Sequence, residues 1–270
     1  MGQIKAKTHG LVAITGASSG IGAAIAKAVA SLNFPVALLA RRIKRLERLA
    51  EEIRAGGGRA YPLPIDLASP SAVATVPERL KELGYPLRIL INNAGFGWYG
   101  FGEAMPWNKA REMIAVNLSA VTQLTLAILP EMKAGSQGHI INIGSIAGSI
   151  PSQGVALYSA TKSFLDSFST ALHRELRGTN VNMSVVRAGA VATPFYKNVA
   201  DQPESRKIPV DWLAIQPEIV AQRVIRLIKR PRRVVYVPGW LRIIPWIELS
   251  FGWLIDKIGP ALLRIRSPRA

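Results

Sequence analysis

Seven short apolar runs alternate with longer stretches of helical periodicity, which predicts an α/β fold: a doubly wound, parallel seven-stranded sheet with helices on both faces. Two observations carry this. The runs are continuously apolar and rich in Val, Ile and Leu, as strands buried on both faces must be. The spacing also leaves room for helical crossovers, which between parallel strands turn right-handed.

The first strand is expected at Leu11–Thr15, followed by a helix over Gly20–Leu32 with small residues on one face. Pro35–Leu39 is the second strand. The charged helix Ile43–Ala55 follows and is stopped by Gly56-Gly57-Gly58, since glycines favour a left-handed exit. Further strands are expected at Ala60–Pro64, Leu87–Asn92, His139–Ile143, Val181–Val186 and Val234–Val237. Helices are expected at Ser71–Leu83, Trp107–Lys133, Leu157–Leu176 and Pro217–Lys229. No repeat or linker interrupts the order, so residues 1–238 read as one domain with 239–270 as an extension.

The chain has 270 residues, 49% of them hydrophobic, enough for a sizeable core. It has no cysteine, which excludes disulfides, thiolate catalysis and cysteine-based metal sites, and agrees with a cytoplasmic location. The three histidines lack ligand-like spacing, so no metal is expected. The formal net charge is +17, and from Arg206 onward 13 Lys/Arg stand against four Asp/Glu. Nucleic acid, an anionic membrane surface, an anionic ligand or a merely solvated face would each account for such charge. No nucleic-acid reader motif accompanies it, and nucleic acid is not an expected partner.

Directly after the first strand stands Gly16-Ala17-Ser18-Ser19-Gly20-Ile21-Gly22. A tight strand-to-helix turn that lets backbone approach a pyrophosphate needs residues without Cβ bulk, and the following helix N-terminus offers free N–H groups. That context makes the stretch a dinucleotide site. The second strand ends in Leu39-Ala40-Arg41-Arg42, where an acidic residue would select NAD(H). Ala40 has no carboxylate to repel a 2′-phosphate and Arg41 can bind one, so NADP(H) is the expected cofactor. Arg42 reads as the solvated start of the next helix.

Tyr158-Ser159-Ala160-Thr161-Lys162 places a phenol and an ammonium on one helical face. A tyrosine is a poor acid or base at neutral pH unless its phenolate is favoured, and a nearby cation supplies that. Ser145, at the exit of the strand His139–Ile143, can hydrogen-bond a substrate carbonyl beside Tyr158.

These motifs, in order and at these separations, resemble the short-chain dehydrogenase/reductase family, from about Leu11 to Val237. The glycine-rich motif is followed by Asp66-Leu67, Asn92-Asn93-Ala94-Gly95, Asn117, Ser145, and Tyr158 with Lys162. The resemblance implies a Rossmann-type fold and interconversion of a carbonyl with an alcohol on a small molecule. It implies Tyr158 as general acid or base. Lys162 would lower the Tyr158 pKa and hold the nicotinamide ribose, Ser145 would polarise the carbonyl, and Asn117 would anchor a relay water. Asp66 and Leu67 would contact adenine, and Asn93 and Gly95 would line the cleft. A homodimer or homotetramer through the two long helices is also implied. The alternative is a non-catalytic NADP(H) sensor, but sensors tend to lose the Tyr or Lys that this chain keeps. The family's Pro-Gly after the sixth strand is here Arg187-Ala188-Gly189, followed by Thr193, and the missing proline is expected to loosen that turn.

Phe195–Trp212 stands where a substrate lid is expected, and Gly95–Phe101 is an aromatic, glycine-rich loop suited to an apolar substrate or to packing on the core. Gly239–Ala270 mixes tryptophans, aliphatics and arginines. It is interrupted by charges before it could span a bilayer. It reads as a segment lying peripherally on a membrane, as a subunit interface, or as a cover over the pocket.

Overall fold

The computed structural model describes residues 10–201 and 214–265, with side chains described except at position 255 and from 258 to 265. The sequence order is β1 (Leu11–Thr15), α1 (Gly20–Ala30), β2 (Pro35–Ala40), α2 (Ile43–Ala55), β3 (Arg59–Pro64), α3 (Pro70–Ala74), α4 (Val76–Lys81) and β4 (Leu87–Asn92). Then come α5 (Trp107–Ile114), a π-turn (Ala115–Ser119), α6 (Ala120–Ala134), β5 (Gly138–Ser145) and α7 (Ala156–Glu175). The chain continues with β6 (Val181–Ala188), α8 (Pro194–Ala200), α9 (Pro217–Lys229), β7 (Val234–Val237), a 3-10 turn (Gly239–Ile243) and α10 (Ile244–Ile265).

All seven strands run parallel in the order β3-β2-β1-β4-β5-β6-β7. The strand order reverses beside β1, and the crevice outside the carboxyl ends there is where such sheets bind ligands. Alternate residues of each strand point to opposite faces. Val12 and Ile14 of β1 therefore enter a core cluster with α1, α2 and α9, while Leu11 and Ala13 enter a second one with α4, α6 and α7. Each face is sealed, which is why the strands read as uninterrupted apolar runs.

The differences from expectation have local causes. The helix expected at Ser71–Leu83 is two, because Pro77 lies in the first turn of α4 and lacks the N–H that would continue α3. The long helix from Trp107 is interrupted by the π-turn at Asn117. Strand β5 reaches Ser145 and β6 reaches Ala188, paired with each other in register. The last residues of β6 thus lie between Ser145 and Val237, and the Gly189 N–H donates to Val237 O at 2.8 Å. The ladder thus runs up to the turn where the proline is missing. The C-terminal extension forms one 22-residue helix.

Among the described residues, the run Trp107–Ala134 is long and apolar enough to cross a membrane. Its inner residues Val116, Ala120, Leu124, Ile128 and Met132 pack into the second core cluster. Of the stretch expected as a lid, residues 202–212 lie outside the described residues.

Candidate active site

The floor of the site is the junction of β1 and β4. Thr15 is buried, and its Oγ1 accepts hydrogen bonds from the N–H groups of Asn93 and Ala94, both at 3.0 Å. The Asn93 side chain returns the tie, its Nδ2 donating to Thr15 O at 3.0 Å and Gly16 O at 3.3 Å. This clamp leaves no room above the turn. A Cβ on Gly16, whose φ is +65°, would sit 2.8 Å from the Ala94 Cα. A Cβ on Gly22 would sit 2.5 Å from both Asn93 Nδ2 and Gly16 O. The glycines thus permit the close β1–β4 approach, and Gly22 does so from inside the packing, away from the cavity.

Above this floor opens a cavity of about 940 Å³. Gly16, Ser18, Ser19, Gly20 and Ile21 line one end with Arg41, Asp66, Leu67, Asn93, Ala94 and Gly95. Ser19 precedes α1 without a side-chain capping bond, so the first N–H groups of that helix remain available. Gly189 and Thr193 also line the cavity, and Thr193 caps α8 by accepting from Phe195 N at 3.3 Å. Asp66 accepts from Ala68 N at 3.0 Å, which fixes the turn after β3.

The two arginines after β2 both line the cavity and differ in their partners. Arg42 is the exposed N-cap residue of α2, as expected, and in addition its guanidinium donates to Ser18 Oγ at 2.8 and 3.2 Å and to Ser19 Oγ at 3.0 Å. Partial desolvation, then the nearby Arg45 and Arg41, lower its pKa. Arg41 lines the cavity too, but it pairs with Glu112 at 3.1 Å. The sequence does not show which of two adjacent arginines faces the glycine-rich turn.

At the other end of the cavity stand Ser145, Tyr158 and Lys162. Ser145 ends β5 and accepts from Ala147 N at 3.2 Å, and it lines the cavity together with Tyr158. Lys162 is only 4% exposed; its Nζ donates to Ile143 O at 3.0 Å and lies 5.7 Å from the centre of the Tyr158 ring. Burial pushes the Lys162 ammonium down to about 8, against an opposing pull from Asp166. The same enclosure acts on the Tyr158 phenol. Burial drives the phenol upward, Ser145 opposes this, and Tyr196 adds to the rise.

Asn117 is fully buried in the π-turn and does not reach the cavity. Its Oδ1 accepts from Phe96 N at 3.1 Å, while its Nδ2 donates to Phe96 O at 3.0 Å and Thr161 Oγ1 at 3.1 Å. The side chain therefore fastens the β4 loop to α7. Beneath it runs a polar chain that the sequence did not reveal. Asn92 Nδ2 donates to Asn142 Oδ1 at 2.9 Å and Thr125 Oγ1 at 3.3 Å, and Asn142 Nδ2 donates to Ser169 Oγ at 2.9 Å. Polar residues inside apolar strands were the available signal, since buried amides must be paired. A second such tie is the Asp166–Arg187 ion pair at 3.0 Å, one helical turn beyond Lys162.

The remaining lining is largely aromatic and apolar, with Phe96, Tyr99, Phe195, Tyr196 and, from α10, Leu254, and it also includes the polar residues Ser152, Gln153 and Asn198. Phe195 lies 5.7 Å from Tyr158, centre to centre. Trp98 is buried with its ring against Gly100, so the aromatic loop both packs on the core and lines the site. Among the described residues no group of His, Asp and Glu side chains could hold a metal ion.

Comparison with known proteins agrees with this geometry. The sequence model of the short chain dehydrogenase family matches residues 10–204. A short chain dehydrogenase of Pseudocercospora fijiensis is 37% identical over 196 residues, 70% of this chain and 61% of that protein. A probable NADP-dependent dehydrogenase of Haemophilus influenzae is 31% identical over 252 residues, 90% of this chain and 96% of that one. Among solved structures, a short-chain dehydrogenase from Sphingobium yanoikuyae in complex with NADPH superposes with a TM-score of 0.79 at 29% identity, covering 97% of this chain and 98% of its own. With the glycine-rich turn at one end of its cavity and Ser145, Tyr158 and Lys162 at the other, this chain belongs to the short-chain dehydrogenase family.

Proposed function

We propose that the protein is an NADP(H)-dependent oxidoreductase that interconverts a carbonyl and an alcohol on an apolar small molecule. One observation carries the reading: a single cavity joins a dinucleotide cradle to a phenol, a serine hydroxyl and a buried ammonium. The cradle fits the coenzyme, since Ser18 to Ile21 present the start of α1 to phosphates and Arg42, with Arg41 beside it, suits a 2′-phosphate. Asp66 and Leu67 would take the adenine, Asn93, Ala94 and Gly95 the middle of the cleft, and Gly189 and Thr193 the nicotinamide. Hydride exchange with the substrate carbon is the chemistry a bound nicotinamide supplies.

The chain's own residues handle the proton. Ser145 orients the carbonyl oxygen and the Tyr158 hydroxyl together. Burial keeps Tyr158 protonated, the state required to donate to the oxygen of a carbonyl being reduced. Lys162, charged below about pH 8, holds ribose hydroxyls and offsets the phenolate that the transfer leaves behind. Both amide protons of Asn117 are engaged, so its side chain can only accept from a relay water, through Oδ1. A sensor would not need these groups kept together.

The aromatic lining favours an apolar substrate. Such carbonyls partition into bilayers, and the exposed apolar residues of α10 suit peripheral contact with a membrane. Trp107, Leu126 and Phe164, exposed on α5 to α7, suit association through those helices. The test is NADPH consumption against a panel of ketones, 3-oxoacyl thioesters, steroids and retinoids. Wild-type turnover with Tyr158→Phe inactive but still binding NADPH supports the reading; equal turnover by Tyr158→Phe refutes it.

A further inference from the structure

On the β7 side of the molecule, α9, the turn after it, β7 and the 3-10 turn enclose a second cleft, of about 620 Å³. Six of its lining residues are cationic: Arg223, Arg226, Lys229, Arg230, Arg232 and Arg242. No carboxylate lines it. Among the described residues, none of the six takes part in an ion pair, although arginines elsewhere in the molecule pair readily. Like charges gathered in a concavity repel one another, so the arrangement is stabilised by an anionic occupant.

Exposed apolar side chains follow this cleft along the chain. Arg242 shares its 3-10 turn with Trp240, which is 54% exposed, and the chain runs directly on into α10. There Trp246, Leu249 and Trp253 are 70%, 79% and 62% exposed. A cationic cleft continuous with exposed tryptophan and leucine is the pattern of a surface that binds headgroups and inserts apolar side chains beside them. Nucleic acid would engage the arginines and leave Leu249 in water. A second copy of the chain docking symmetrically would bring like charges together. Leu254, on the same helix, lines the catalytic cavity.

We infer that the α9–β7 cleft and α10 together form a docking surface for an anionic lipid bilayer, which seats the cavity at the membrane so that apolar substrate reaches it past Leu254. Substrate delivery rests on the oxidoreductase reading; the docking does not. The test is flotation of the full chain with vesicles of pure phosphatidylcholine and of phosphatidylcholine mixed with phosphatidylglycerol. Alongside it run the variants Arg226→Gln/Arg230→Gln/Arg232→Gln and Trp246→Ser/Trp253→Ser, and NADPH turnover of a water-soluble ketone is followed for each protein. The expected result is binding to the anionic vesicles that weakens with salt. Each arginine removed should weaken it about fivefold, roughly 100-fold for the triple variant. The tryptophan variant should also weaken binding, with turnover of the soluble ketone unchanged in both. No anionic-vesicle binding at low salt, equal binding by the variants, displacement of vesicles by duplex DNA, or loss of a dimer in both variants without any change in flotation would overturn it. Flotation without any turnover would leave the docking standing and sink the oxidoreductase reading.

Discussion

The two ends of the catalytic cavity are built differently. The coenzyme end is made of backbone: glycines pressed against the Thr15–Asn93 clamp, and a helix start without a side-chain cap. The substrate end is made of side chains from short or peripheral elements: Phe96 and Tyr99 of a loop, Phe195 and Tyr196 of α8, and Leu254 of α10. Backbone against backbone tolerates almost no change, whereas apolar side chains around a cavity can be exchanged at modest cost. One end is fixed by the chemistry of a common coenzyme. The other is free to vary with the substrate.

The sharpest attack on that contrast lies where the ends meet. Replacing Tyr158 by Phe removes the proton donor and should lower kcat by about 100- to 10,000-fold with NADPH affinity unchanged, as fluorescence titration would show. A parallel loss of NADPH binding would mean the two ends are not separable.

Next comes the sheet under the site. His139 is buried beside Ser184 Oγ at 2.8 Å, and burial pushes its pKa down to about 4. The unfolded chain binds this proton at a higher pH than the folded one. Stability should therefore be full above about pH 6.5 and fall by up to about 3 kcal/mol as pH drops toward 4. Urea unfolding across that range should show the slope, and His139→Gln should flatten it.

At the coenzyme end, Gly22→Ala drives a Cβ into Asn93 and Gly16 and should cost about 1–3 kcal/mol of stability. Thermal unfolding checks it; an unchanged melting temperature would show that the clamp yields. Arg42→Ala should raise the KM for NADPH about tenfold and leave that for NADH unchanged, an effect larger than that of Arg41→Ala, whose guanidinium is engaged by Glu112. The reverse ranking would restore Arg41 as the principal phosphate ligand. The smallest effect is expected at the substrate end. Phe195→Ala should change KM for the carbonyl substrate severalfold and leave KM for NADPH alone.

The elements were read well where one local force decides them. Seven apolar runs became seven strands because both faces of a parallel sheet are sealed, and the glycine stretch became a turn because no other residue fits beside Asn93. Errors arose where a second force intervened. Pro77 splits a helix, and ladder pairing carries β5 to Ser145 and β6 to Ala188, beyond the branched apolar runs that end at Ile143 and Val186. The site was legible to the same degree. Ser145, Tyr158 and Lys162 were expected together and line one wall, but the Asn92–Asn142 chain was hidden because its partners lie 50 positions apart.

The sequence alone therefore determined the layering of the fold, the place of the glycine-rich turn and the placing of Tyr158 and Lys162 on one helical face, since each follows from steric or hydrophobic demands within a few residues. Only the tertiary structure decided which arginine meets Ser18 and Ser19, what Asn117 holds, and that the Lys162 ammonium is buried against Ile143 O, 5.7 Å from the centre of the Tyr158 ring. Those outcomes depend on distances and desolvation set by segments far apart in the chain, which no local pattern records.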